Sequence, residues 1–179
     1  MSNIWLISDT HFNHHKILTF EDDGVAIRPF ASVEEMNEML IDNWNSVVKP
    51  GDKIYHLGDV LFGEDKAGWL AKNMPRLTGK KRLIFGNHDD PKNFVGVGHF
   101  SQTSLWRFFK EYGLLLTHVP VHPSTMTEKR FEGGSIVNVH GHTHTHGSPS
   151  GPYVSVCVEK IGYTPIHIDW IMEEVRHLR

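Results

Sequence analysis

Apolar positions along this chain come in short runs, and the residues that end those runs are of few kinds. "IWLIS" leads into Asp9-Thr10-His11, "KIYHL" into Gly58-Asp59, and "RLIF" into Gly86-Asn87-His88-Asp89. "GLLLT" leads into His118, and "SIVNV" into the stretch "NVHGHTHTHGSP". Short runs rich in Ile, Leu and Val and bounded by Gly or Pro predict buried strands. The alternation in "YVSVCVE" predicts a further one. Between the first two runs, "SVEEMNEMLIDNWNSVV" places Val33, Met36, Leu40, Trp44 and Val47 at helical spacing behind Ser32 and Glu35 in capping-box register. That predicts a helix whose apolar stripe packs into the core. "EDKAGWLAKNM" predicts a shorter helix before Pro75, and "DWIMEEVRHL" a third at the end of the chain. Strands that alternate with helices and then follow one another more quickly predict a layered α/β fold.

In such sheets chemistry collects at the carboxyl ends of the strands. Five strand ends here supply Asp9 and His11, Asp59, Asn87 and His88, His118, and then His142 and His144. Within the last stretch His140, His142, His144 and His146 stand at every second position, so in an extended segment their rings lean to one side. Neutral imidazole is the commonest metal-ligating side chain. A lone H-x-H pair is equally compatible with a solvated loop, and a lone Asp or Asn after a strand with turn chemistry. Taken together, the five ends form a mixed nitrogen and oxygen donor set. That mixture suits Mn, Fe, Zn or Co, whereas an all-oxygen set suits Mg or Ca. One tetrahedral ion cannot use so many donors. Two ions sharing a carboxylate, separated by about 3.5–4 Å, can.

Composition narrows the classes. The chain has 179 residues, enough for one domain with a proper core. With 39% hydrophobic and 22% charged residues it reads as an ordinary globular protein. A net charge of −3 and a single basic cluster, Lys80-Lys81-Arg82, argue against a face built to grip duplex nucleic acid. The one cysteine, Cys157, rules out an internal disulfide and fits a reducing cytoplasm. Its place in an alternating run reads as a small buried residue rather than a catalytic thiol. The start "MSNIWLISDTH" lacks a basic segment and reaches Asp9 too soon for a signal peptide, and no apolar run is long enough to span a bilayer.

Read in order, "DTH", "GD", "GNHD", "TH" and "GHTH" resemble the five-block signature of the calcineurin-like metallophosphoesterase superfamily. "RPF", "NWN" and "KPGDKIYHLGD" resemble its compact bacterial and phage members. The resemblance spans Asp9 to His144. It implies a single domain over residues 1–179 with a four-layer α/β/β/α sandwich, two mixed central sheets flanked by helices. It assigns Asp9, His11 and His144 to one metal ion, Asn87, His118 and His142 to the other, and Asp59 to both. It makes His88 a catalytic imidazole that binds no metal. Asp89 follows it and is expected to hold its orientation, as a carboxylate often does for a working histidine. The cofactor implied is a pair of divalent transition-metal ions, Mn first, with Fe, Zn, Co or Ni as alternatives. Arg28, His14 and His122 are candidate substrate contacts, Arg28 as a phosphate clamp or else a surface arginine. His56 reads as a satisfied core histidine. His140 and His146 are expected in supporting or solvent-facing roles, and His15 lies near the first block.

The activity implied is phosphoric ester hydrolysis, with a lean toward a small diester or nucleotide-like substrate, and His88 leaves monoesters open as well as diesters. Two divalent ions acidify a shared water, the resulting bridging hydroxide attacks phosphorus, and His88 supplies a proton to the leaving oxygen. A metallo-β-lactamase-type site resembles H-x-H-x-D-H, but His144 is followed by Thr145 and His146. Amidohydrolase-like sites need an early H-x-H where this chain has Asp9-Thr10-His11. The protein Ser/Thr phosphatases resemble G-D-x-V-D-R-G where this chain has "GDVLFGED", which argues against phosphoprotein substrates. The alternative from another class is a catalytically silent metal-binding scaffold of the same fold. Its mark is metal content without turnover.

Overall fold

The computed structural model describes residues 2–126 and 136–178. Ser135, at the start of the predicted "SIVNV" run, lies outside them. In chain order the elements are β1 (Ile4–Ile7), β2 (Glu21–Asp22), β3 (Val25–Ala26), α1 (Val33–Val47), β4 (Lys53–His56), α2 (Lys66–Asn73), β5 (Lys80–Ile84), β6 (Gln102–Ser104), β7 (Trp106–Phe109), β8 (Leu114–Thr117), β9 (Val137–His140), β10 (Tyr153–Ser155), β11 (Ile166–His167) and α3 (Ile168–Leu178).

These strands form two mixed sheets and a small β2–β3 hairpin. The first sheet has the order β11-β1-β4-β5-β6, the second β10-β9-β8-β7. In the first, β1, β4, β5 and β6 are parallel and β11 is antiparallel to β1. In the second, β8, β9 and β10 are parallel and β7 runs against β8. Helices flank the pair of sheets, giving the α/β sandwich expected.

The apolar pattern explains the layering. Val33, Met36, Leu40, Ile41 and Trp44 of α1 are buried with Ile7, Ile54 and Leu83 on one face of the first sheet, and Leu70 of α2 joins them. Leu6, Tyr55 and Ile84 point the other way and meet Leu116, Val139 and Val154 of the second sheet. Ile168, Ile171 and Val175 of α3 close that inter-sheet core beside β1, β10 and β11. The α1 start is capped as its sequence requires. Ser32 Oγ accepts from Glu35 N at 3.1 Å, while Glu35 reaches back to Ala31 N at 2.8 Å, one residue before the cap itself.

One predicted strand is divided. β10 ends at Ser155, and the chain then leaves the second sheet, because Val156 N bonds His140 O while Ser8 N bonds Val156 O and Val158 N bonds Ser8 O. Residues 156–158 therefore stitch the end of β9 to the end of β1. The alternation continues because both halves are buried, each in a different sheet. Among the described residues, no helix is long and apolar enough to cross a membrane.

Candidate metal centre

The carboxyl ends of β1, β4, β5, β8 and β9 converge at one end of the sandwich. Asp9 N bonds Gly58 O at 3.0 Å, His11 N bonds Asp59 O at 3.0 Å, and Gly141 N bonds His118 O at 2.8 Å, so the loops are laced together through their backbones. The chain is forced into unusual conformations to achieve this. Asp9, His11, Asp59, His142 and His144 have φ of 58°, 46°, 56°, 70° and 47°. Positive φ costs a non-glycine residue about 1–3 kcal/mol and persists only where surrounding contacts impose it. Two glycines provide the room. A Cβ at Gly58 would fall 2.7 Å from His118 Nδ1, and one at Gly141 would collide with Ser8 and Asp9.

The first cluster is Asp9, His11 and His144, whose candidate ligand atoms lie within 4.8 Å of one another. Asp9 Oδ2 is committed, accepting from His142 N at 2.9 Å and from the Cys157 thiol at 3.4 Å. Asp9 Oδ1 faces His11 Nε2 at 3.8 Å and His144 Nε2 at 3.9 Å. The ring of His144 is fixed from behind, its Nδ1 donating to Glu159 Oε1 at 2.9 Å, so its Nε2 lone pair points inward. Burial, with the Arg28 charge behind it, holds His11 well below the usual histidine range, so its ring is neutral. Asp9 Oδ1 and His11 Nε2 are buried without a hydrogen-bond partner. Unpartnered buried acceptors around one point are costly unless a cation lies between them, so these residues fit a metal ion.

The second cluster is Asp59, His118 and His142. His118 Nδ1 donates to Leu57 O at 2.7 Å, which turns the Nε2 lone pair toward Asn87 Oδ1 at 2.9 Å and Asp59 Oδ2 at 3.4 Å. Three acceptors meeting in this way also fit a cation. The same field appears in the imidazole itself. Burial works against a proton on His118, but Asp59 and Asp9 outweigh it and raise its pKa. His142 is exposed and lays its ring edge-on to His118 at 5.1 Å.

Asp59 stands between the clusters. Its Oδ1 is held by His88 N at 2.9 Å, while its Oδ2 faces His11 Nε2 at 3.6 Å and His118 Nε2 at 3.4 Å. Burial opposes its charge, but the His118 ring and the His88 N–H prevail and hold the carboxyl below the usual carboxylate range. His88 itself sits at the mouth. Its side chain is 45% exposed, with Nε2 4.0 Å from Asp59 Oδ2 and its ring edge-on to Phe62 at 5.2 Å.

Two expectations need correction. Asp89 does not orient His88. Its buried carboxylate accepts from three backbone groups, Asp59 N at 2.8 Å, Gly86 N at 2.9 Å and Val60 N at 3.0 Å, and so clamps the Asp59 loop to its own. Arg28 is neither a phosphate clamp nor a surface residue. It is fully buried, bonds the carbonyls of Asp9 and Thr10, and pairs with Glu159, bracing the first loop from behind.

The remaining histidines divide by environment. His56 is buried, accepting from Gly58 N through Nδ1 and donating through Nε2 to Thr10 Oγ1, which itself donates to Val60 O. That network requires the neutral ring, and burial lowers its pKa to about 3. His140 is buried and ties Gly141 O to Ser148 Oγ, whereas His15 and His146 are exposed. His14 stacks on Phe62 at 4.1 Å beside His11, and the exposed His122 caps a short turn through Ser124 N. Cys157 is buried against Asp9, and burial pushes its thiol up to about 12.

Sequence reasoning missed Glu159. It ends the run "YVSVCVE", the same strand-end position that drew attention to the other blocks. A glutamate is ordinarily a solvated residue, and nothing local shows that Arg28, 131 residues away in sequence, is buried beside it.

Known proteins share this framework. The family model for the calcineurin-like phosphoesterase superfamily domain matches residues 2–158. An uncharacterized protein of Methanocaldococcus jannaschii, MJ1445, is 35% identical over 97% of this chain and 91% of its own length. The Gene 66 protein of Mycobacterium phage L5 is 32% identical over 81% of this chain and 79% of its own. In fold, the chain is similar to a protein of unknown function, AQ665, from Aquifex aeolicus, with a TM-score of 0.65 at 24% identity over 97% of this chain and 99% of that one. The sequence blocks, the two ligand clusters and the sandwich that carries them agree with these likenesses, and the chain belongs to the calcineurin-like phosphoesterase superfamily.

Proposed function

We propose that this chain hydrolyses phosphoric esters with two divalent transition-metal ions, Mn foremost, and takes a small phosphodiester or nucleotide-like substrate. Asp9, His11 and His144 would hold one ion, Asn87, His118 and His142 the other, and Asp59 would be shared. The observation that carries this reading is the Oδ2 of Asp59, which faces a histidine of each cluster at 3.6 and 3.4 Å. When bound, such a pair supplies charge neutralisation to a phosphoryl group and acidifies water toward neutral pH.

The chain's own residues do the rest. Asp89 and Arg28 fix the loops from below, and Glu159 fixes the His144 ring. His88, exposed at the mouth and tethered through its N–H to Asp59, stands where it can give a proton to a departing alkoxide oxygen. Its carbonyl receives Lys66 Nζ at 2.9 Å, which steadies the loop from the solvent side. His14 and Phe62 form the adjoining wall and would meet the leaving group.

The test is hydrolysis of bis(p-nitrophenyl) phosphate before and after chelation, with metal content followed by elemental analysis. We expect activity to vanish with the metal and to return more fully with Mn²⁺ than with Mg²⁺. Full activity in metal-free protein would overturn the metal dependence. Two bound ions without turnover on mono-, di- or cyclic esters would favour the silent scaffold.

A further inference from the structure

The open edge of the sandwich carries a second group of chemically suggestive residues. β6 and β7 are edge strands of different sheets and are joined through Leu105, so the chain steps there from one sheet to the other. Arg82 lies two residues before Ile84 and Arg107 two before Phe109, and both apolar residues are buried in the inter-sheet core. By strand alternation the two guanidiniums point into the same gap from opposite sheets. With Tyr55, Gln102, Ser104 and Trp106 they line a cleft of about 290 Å³. That is close to the lower bound for small-molecule sites, about 300 Å³.

The charge in this cleft is not neutralised locally. Arg82 Nε donates to Gln102 Oε1 at 2.8 Å, and its guanidinium lies 5.3 Å from the Tyr55 ring centroid, but its Nη1 is buried with no hydrogen-bond partner. Arg107 rests 5.7 Å from the Phe109 ring. No acidic residue among those described lines the cleft. Among the described residues, the arginines found in ion pairs are Arg28 and Arg76. An inward charge at a sheet edge does discourage pairing with another chain. One would suffice for that, and it would not need a buried N–H left without an acceptor.

We propose that this cleft binds a phosphate-type anion, its oxygens against Arg82 and Arg107. The guanidinium fork matches phosphate oxygens in pairs, and the unpartnered Arg82 Nη1 is the donor left for one. None of the lining residues belongs to either ligand cluster, so the proposal stands apart from the phosphoesterase reading.

The test is titration of the ¹⁵N-labelled protein with AMP, adenosine and inorganic phosphate, reading the arginine Nε–H signals. We expect AMP and phosphate to shift the Arg82 and Arg107 signals saturably and adenosine to leave them in place. Arg82→Gln and Arg107→Gln should each weaken AMP about tenfold or more. His142→Ala should leave these shifts intact. Because Arg107 is exposed, Arg107→Gln keeps the test decisive even if Arg82→Gln fails to fold. Signals unmoved by AMP and phosphate, or adenosine binding as tightly as AMP, would overturn the anion site.

Discussion

Glu159 accepts the Nδ1–H of His144 at 2.9 Å with the same oxygen that takes the Arg28 guanidinium at 2.7 Å. One buried carboxylate thus sets the tautomer of a candidate ligand and neutralises the cation that braces the Asp9 loop. Removing it should do two separable things. Glu159→Ala leaves Arg28 buried without its partner, which costs about 3–5 kcal/mol of stability. It also frees the His144 ring, which should weaken metal binding at the first cluster about 10–100-fold. Denaturant unfolding reads the first effect and metal titration the second. A stability loss with unchanged metal affinity would confine Glu159 to holding Arg28.

The position of Asp59 makes a second prediction. A neutral amide that keeps the bond to His88 N through its one oxygen would present its NH2 group, a donor, to both clusters. Asp59→Asn should therefore lower occupancy of two ions together, whereas His144→Ala should lower one. Calorimetric titration with Mn²⁺ counts the sites directly. Two tight equivalents retained in Asp59→Asn would remove Asp59 from its shared role.

Acid should unfold the protein partly through His56. Its pKa falls from 6.5 to about 3 on burial, so the unfolded chain binds a proton in that range and the folded chain does not. The stability this group protects is fully present above pH 6.5. As pH falls from 6.5 toward 3 it is lost, at about 1.4 kcal/mol per pH unit. Unfolding free energies of metal-free protein between pH 7 and 4 should show this decline. A residue that cannot titrate, as in His56→Asn, should flatten it by about one proton's worth.

Much of this was legible because strands and ligands share one rule, apolar residues that run inward and then stop. The five blocks of candidate ligands sat at the ends of five such runs, and the helix from Val33 to Val47 announced itself by its stripe and its cap. What stayed hidden lacked a local signal. β6 is "QTS", a polar edge strand, and β11 is two residues long, so neither carries a period to read. Arg28 and Asp89 looked like surface or active-site charges, and Glu159 drew no reading, because their types are ordinarily solvated. Their actual partners, backbone groups of distant loops for Arg28 and Asp89 and the side chains of Arg28 and His144 for Glu159, exist only once the sheets have brought those loops together.

The reassignment of Asp89 gives it a signature different from that of its neighbour. Asp89→Ala removes the acceptor of three backbone N–H groups, each costing about 1–3 kcal/mol when left buried and unpaired. The Asp59 and Gly86 loops should then loosen together. Thermal stability and metal occupancy should both fall, and activity should fall equally on good and poor leaving groups. A variant that keeps its stability and both metals yet loses activity selectively on alkyl esters would restore the role of orienting His88.

His88 should show the opposite pattern. It touches the site through its backbone N–H, which a substitution keeps, and through a half-exposed ring whose Nε2 lies 4.0 Å from Asp59 Oδ2. If the ring protonates the departing oxygen, its worth depends on how basic that oxygen is. Nitrophenolate is a stable anion and needs little help, while a sugar alkoxide is far more basic. Positioned general-acid catalysis is worth about 10²–10⁴-fold where it is needed. His88→Ala should therefore keep both metals and its fold, and lose far more activity on alkyl esters than on nitrophenyl esters. An equal loss on the two substrates with metal intact would assign His88 to charge stabilisation or positioning. Loss of a metal ion would make it a ligand, and the leaving oxygen would then need another donor.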